Sequence, residues 1–258
     1  VLPDGLEALL LGALRVVDYP SGPGVIRYIN DDPARLQRAT GTAIDPNSFG
    51  GLLAVLGALA APQLVSRRPI IPRTAAALAV AFMGLGVLAT VSRGSMLALA
   101  AGLAVVGLAR DRRLLAATVV GGALLLAVAR FVPWTSAYVA NLVDGLLAQD
   151  RSTQMRLGEY KDALRLIERY PLLGVGFGGV RDIDLYRGVS SLYLIVAETM
   201  GLVGLGAFVT FLLAAAGRWW LAWRTMPPDG LRAVVLGCLA ALTAAAVGGV
   251  FDHYFFTY

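Results

Sequence analysis

The chain has 258 residues, 57% of them hydrophobic and 15% charged, with a mean hydropathy of +0.70 and a formal net charge of +5. Soluble domains carry about 25% charged residues, so these values exclude an ordinary water-soluble domain and make the apolar helix of about 20 residues the unit of organisation. No basic patch with interleaved aromatics accompanies the positive charge, which leaves no nucleic-acid partner to expect.

In chain order, residues 1–48 form a polar N-terminal segment that ends on RATGTAIDPNSFGG (38–51). The DPNS run with Pro46 marks a helix start, and Asn47 is the expected cap. Apolar stretches follow at 49–65, 74–91, 96–109, 114–131, 191–216 and 231–250. They are apolar all round and lack the alternation of β-barrel strands, so they predict an all-α polytopic bundle of about six transmembrane helices. The third is short and the fifth long enough to tilt. Four helices thus fill 49–131, a long connection fills 132–190, and two helices fill 191–258.

Arginine sets the orientation. SRRPIIPR, RDRR and GRWWLAWRTMPPDGLR hold Arg67, Arg68, Arg73, Arg110, Arg112, Arg113, Arg218, Arg224 and Arg232, against Asp111 and Asp229 alone. By the positive-inside rule these connections are cytoplasmic. Residues 1–48, the turn SRGS, the 132–190 connection and the C-terminal FDHYFFTY are then extracytoplasmic, and the two long outer segments carry thirteen acidic residues. The chain starts at Val1 and stops at Tyr258 just after a span, which reads as a piece of a longer protein.

One histidine and one cysteine, without a cluster at ligand spacing, give no metal site and no cofactor to expect. Cys238 lies mid-span and reads as a small packing residue. Gly174, Gly176 and Gly178 form a GxGxG, but no strand-helix-strand alternation surrounds it, so it is not a dinucleotide fingerprint.

Within the outer connection, Leu157, Tyr160, Leu164 and Ile167 recur at helical spacing among charged residues. An amphipathic helix over 152–170 is predicted, capped by Ser152 or Thr153 and stopped by Pro171. Its charges can face water. The PLLGVGFGG loop (171–179) can fold tightly onto the next helix, with backbone N–H groups free to line an anion cavity or a purely structural turn.

RLGEYKDALRLIERYPLLGVGFG (156–178) and SSLYLIVAETMGLVGL (190–205) resemble the core of the O-antigen ligase and O-antigen polymerase superfamily. There an outer helix beginning with arginine leads to a Pro-x-x-Gly-x-Gly turn and a His-Asn-x-Tyr-Leu opening of the next span. RATGTAIDPNSFGG (38–51) is similar to the family's Arg-x-x-Gly-Thr-x-x-x-Pro-Asn stretch, and TVSRGSMLAL (90–99) looks like its Ser-Arg-Gly turn. The resemblance covers roughly 38–205.

It implies an integral glycosyltransferase of the bacterial cytoplasmic (inner) membrane. Such an enzyme takes a glycan from an undecaprenyl-diphosphate donor and joins it to a hydroxyl of a glycan or lipid acceptor, without metal or nucleotide sugar. Membrane lipids, and a chain-length regulator or larger membrane complex, are the other partners it suggests. Arg93 and Arg156 fall on its arginines, suited to a diphosphate leaving group by bidentate hydrogen bonding. Gly174, Gly176 and Gly178 would shape the carrier cavity. Tyr193 and Leu194 align with its Tyr-Leu pair, which puts Ser190 in place of the family histidine.

Serine is a poor base. His253, beside Asp252, is the one imidazole, and topology puts it on the same face as Arg93. Glu198 stands about two turns into the fifth span, where a carboxylate needs a partner such as Arg93, or serves substrate. The rival readings are a structural or lipid-binding subunit that kept the fold without catalysis, and a transporter, for which charged, broken helices at the midplane are scarce.

Overall fold

The computed structural model describes residues 26–29, 32–41, 43, 45–110, 112–131, 138–140, 143–144, 147, 151–176, 189–227 and 230–253. Strands β1 (Arg27–Tyr28) and β2 (Gln37–Arg38) form a short antiparallel hairpin with Arg27 opposite Arg38. All other regular elements among these residues are helices: α1 (Pro46–Ala60), its one-turn continuation α2 (Pro62–Val65), α3 (Arg73–Ala89), α4 (Arg93–Ala109), α5 (Arg112–Phe131), α6 (Arg151–Arg169), α7 (Leu192–Thr225) and α8 (Gly230–Phe251).

Each apolar stretch read from the sequence is a helix. Three are long and apolar enough to cross a membrane: Pro46–Val65, Leu192–Thr225 and Gly230–Phe251. α3 and α4 are apolar but have 17 residues each, about 25 Å of helix against a hydrocarbon core of about 30 Å. α7 runs on to Thr225, past the expected 216, so Arg218 and Arg224 are helical rather than in a loop. Tryptophans and arginines suit a helix end at the membrane interface.

The packing is inverted relative to a soluble protein. At the centre, α8 lies against α1 and α4 through Ala54, Ala58, Ala98, Ala240 and Ala244, all at 0–1% exposure. Gly102 completes this seam, and a Cβ there would stand 3.0 Å from the Ala240 carbonyl oxygen. Phe82, Leu85, Phe211 and Leu213 are 60–70% exposed. Apolar side chains gain nothing by leaving lipid for protein, so small residues that admit close backbone contact take the interior and bulky ones face outward.

Two local expectations change. α1 is capped by Asp45, whose Oδ2 accepts from the Ser48 N–H at 2.7 Å. Asn47 instead accepts from the Arg38 Nη2 at 2.7 Å. α6 starts at Arg151 and ends before Pro171 as expected, but its inward face differs. Ala163 and Leu166 are buried and Tyr160 partly so, while Leu157 and Leu164 are about half exposed. Small Ala163 allows close approach to Val189 and Ile195 at the start of α7, which turns part of the charged side toward the bundle.

Candidate active site

One end of the bundle gathers the start of α1, the α3–α4 turn, α6, the start of α7 and the end of α8. The α3–α4 turn is built on Val91, whose φ of 54° is rare for a β-branched residue. Several bonds hold it there. Thr90 Oγ1 accepts the Ser92 N–H at 3.2 Å, the Arg38 Nε donates to the Thr90 carbonyl at 2.8 Å, and the Ala39 N–H donates to the Ala89 carbonyl at 2.9 Å. Ser92 caps α4 and receives the Ser95 hydroxyl at 2.9 Å. Arg93, the first residue of α4, therefore starts from a fixed backbone.

Arg93 reaches α6. Its Nη2 donates to Thr153 Oγ1 at 3.2 Å. One turn on, Arg156 Nη2 lies 3.6 Å from Asp252 Oδ2 just beyond α8. At that distance the contact is an ion pair without a hydrogen bond, and the Arg156 donors stay open among the described residues. Both side chains are largely enclosed, at 21% and 13% exposure. The Tyr160 hydroxyl donates to the Val250 carbonyl at 3.2 Å and fastens the same helix to the same end of α8. Burial raises the Tyr160 phenol above its ordinary value, against the opposing charge of Arg156 and with Glu159 and Asp252 adding to the rise.

Asp252 Oδ1 accepts the His253 N–H at 2.8 Å, and the His253 Nδ1 lies 3.4 Å from the same oxygen. That Nδ1 is buried and has no hydrogen-bond partner among the described residues. Burial pushes the Asp252 carboxyl above the usual carboxylate range. Arg156, the His253 N–H and the imidazole oppose this, and Asp45 reinforces it.

Ser190, just before α7, faces Glu159. Its N–H donates to Glu159 Oε2 at 3.0 Å, and its hydroxyl donates to the same oxygen. Glu159 follows Arg156 by three residues and so shares its face of α6. That spacing is the one sequence signal at Glu159, and Asp162 and Arg165 continue the same three-residue interval. Thr153 and Asp45 join the site through Arg93 and Asp252, and nothing in their sequence context marks them for it.

The glycine loop has a different geometry from an anion cradle. The Gly174, Val175 and Gly176 N–H groups donate to the carbonyls of Tyr170, Glu198 and Thr199, at 3.1, 2.8 and 2.9 Å. In return the Leu202 N–H donates to the Pro171 carbonyl at 2.8 Å. The loop thus fills a break in α7 at Gly201, which has φ 68° and ψ −175°, a region open essentially to glycine alone. A Cβ on Gly174 would come within 2.6 Å of the Gly201 nitrogen. Gly178 lies outside the described residues.

Glu198 stays apart from the arginines. Its backbone serves this joint, and its carboxylate has no ion pair or hydrogen bond among the described residues, so the expected pairing with Arg93 is not found there. The Tyr193 hydroxyl donates to the Ala246 carbonyl at 2.8 Å, and its ring packs 6.0 Å from that of Phe208. Below it an apolar cavity of about 530 Å³ opens between α7 and α8, lined by Leu192, Val196, Met200, Phe208 and Leu212 among others. No group of three or more His, Cys or carboxylate side chains is placed to hold a metal ion among the described residues.

A profile of the O-antigen ligase family matches residues 78–209, which run from within α3 to within α7 and include Arg93, Arg156, Ser190 and the glycine joint. The chain belongs to the O-antigen ligase family. As a member of that family it is a membrane glycosyltransferase-like enzyme of polysaccharide biosynthesis, acting on lipid-linked glycans in a bilayer. No curated protein matches the chain significantly. In this O-antigen ligase family member Asp252 and His253 lie beyond the matched residues, while their partner Arg156 lies within them.

Proposed function

We propose that the protein transfers a glycan from an undecaprenyl-diphosphate donor to an acceptor hydroxyl, as ligase or polymerase, at the outer face of the cytoplasmic membrane. The observation that carries this is that Arg93, at the start of α4, donates to Thr153 of α6, one turn before Arg156, which Asp252 sets. A departing diphosphate builds up negative charge as the glycosidic bond breaks. Two guanidiniums fixed in advance stabilise that charge without reorganisation, each worth about 10²–10³ in rate.

Three further features support the reading. The apolar cavity between α7 and α8 begins at Leu192, close to Ser190, and suits the lipid part of a carrier in contact with the bilayer. Arg67, Arg68, Arg73, Arg110 and Arg232 lie at the opposite end of the helices, and by the positive-inside rule this supports an extracytoplasmic Arg93 end. On this reading all six apolar helices cross, the 17-residue α3 and α4 with local thinning of the bilayer. Two groups at the site can handle the acceptor's proton, the Asp252–His253 pair and the Glu159–Ser190 pair.

The full-length protein in lipid nanodiscs, given a lipid-diphosphate-linked glycan and an acceptor, tests the reading. Product glycan from the wild type and its loss in Arg93→Ala are expected. Full product yield from the folded Arg93→Ala variant, or none from the wild type, would reject it.

A further inference from the structure

The transfer written above leaves one proton to place. As the acceptor oxygen bonds to the anomeric carbon, the carbon–oxygen bond to the diphosphate breaks with its electron pair leaving on the phosphate oxygen, and the acceptor's hydroxyl proton must go to a base. Asp252 is committed to Arg156 through one oxygen and to the His253 N–H through the other. The His253 Nδ1 is enclosed. Glu159 makes no ion pair among the described residues, and Oε2 takes both of its hydrogen bonds from Ser190.

We propose that the Ser190 hydroxyl meets the acceptor and relays its proton to Glu159. The acceptor proton moves to Ser190 Oγ while the Ser190 proton moves to Glu159 Oε2. The carboxylic acid so formed later returns its proton to water or to the released diphosphate. This rests on the glycosyl-transfer reading and deepens it. A carboxylate is an adequate base for such a step, because the hydroxyl turns strongly acidic as it bonds to an oxocarbenium-like carbon. Inverting glycosidases activate water with a carboxylate in the same way.

Placement favours the pair further. Glu159 sits one turn after Arg156 on a shared face, so proton acceptor and leaving-group cation are held by one rigid element. Ser190 precedes the first turn of α7, next to Leu192 of the apolar cavity. A carrier lying in that cavity would bring its diphosphate to this end. Glu159 belongs with Arg156 on α6 and Asp252 after α8 to the charges that act together on the Tyr160 phenol. From α7 the pair receives only the two Ser190 donors among the described residues.

The bland role for Glu159 is to hold the start of α7 by accepting the Ser190 N–H. Glutamine separates the two, because its amide oxygen still accepts both Ser190 hydrogen bonds but takes no proton at neutral pH. With full-length protein in nanodiscs and lipid-diphosphate-linked glycan, Glu159→Gln is expected to lower kcat about 10²-fold with donor KM within about twofold. Ser190→Ala is expected to lose at least about tenfold and Ser190→Thr to recover most of it.

A Glu159→Gln enzyme within about threefold of wild type overturns the relay and leaves the transferase reading standing. So does a loss carried by donor KM with kcat within about threefold of wild type, which marks a structural role. Wild-type protein that releases no product overturns both. If Glu159→Gln fails to fold, Ser190→Ala decides: near-wild-type turnover there overturns the relay.

Discussion

Arg156 and Asp252 stand 3.6 Å apart, one on α6 and the other just past α8, and between them tie the two helices together. The pair aims the guanidinium rather than quenching it, since no donor of Arg156 is consumed in a hydrogen bond to the carboxylate. Asp252→Asn should lower kcat about tenfold by freeing the Arg156 side chain. Arg156→Ala should cost about 10²–10³, and Arg156→Lys an intermediate amount because an ammonium has no planar fork. An Arg156→Asp, Asp252→Arg exchange should recover thermal stability in detergent without recovering turnover. Equal turnover in Asp252→Asn and wild type would show that the carboxylate has no aiming role.

The pH dependence of this pair has a definite sign. Burial lifts the Asp252 carboxyl above its ordinary range, so the folded protein binds its proton more tightly than the unfolded chain does. Its stabilising contribution is complete below about pH 4, the unfolded value, and is lost as pH rises through the raised folded value. The Arg156 ion pair, by contrast, forms only as Asp252 ionises. Thermal stability over that window should therefore fall less with rising pH in Asp252→Asn than in wild type, as read by melting temperature in micelles. An identical slope in both proteins would place the Asp252 proton affinity at its ordinary value.

The joint of Gly174 and Gly201 makes a mutational prediction of its own. Alanine at either position meets backbone, at Leu172 for Gly201 and at Gly201 itself for Gly174. Each should cost more than about 2 kcal/mol, as strain plus overpacking, and the two together less than the sum. Gly176→Ala has open space at φ 75° and should cost only about 1–2 kcal/mol. Melting temperatures that rank Gly176→Ala as the most damaging would contradict the interlocked arrangement.

Orientation is testable by single cysteines in a Cys238→Ala background. Ser152 is exposed and suits a label, whereas Ser66 is 5% exposed and does not, so exposed Arg67 serves for the opposite end. A membrane-impermeant maleimide added outside intact cells should modify Ser152→Cys and spare Arg67→Cys. The reverse pattern inverts the topology.

His253 separates the two possible proton acceptors. With Glu159 as the acceptor, His253→Ala should cost at most about tenfold, against the 10²–10⁴ of a lost general base. A loss near a thousandfold in His253→Ala, with Glu159→Gln near wild type, would move the role to His253.

Sequence alone determined the helices, because hydropathy and proline are local signals that a chain in a bilayer obeys residue by residue. It also carried Arg93, Arg156 and the glycine run, through the order and spacing of short motifs. It left undecided which side of α6 turns inward. By spacing alone Arg156, Glu159, Asp162 and Arg165 are equivalent charges on an amphipathic helix, and the apolar stripe through Leu157 and Leu164 pointed elsewhere. Only the approach of Ala163 to Val189 and Ile195, with Ser190 waiting at the start of α7, selects Glu159. Glycine residues announce permissive backbone but not its purpose. The purpose came from Gly201, whose break in α7 leaves carbonyls that the 171–176 loop satisfies, since a buried backbone group in a membrane must find its partner within the protein.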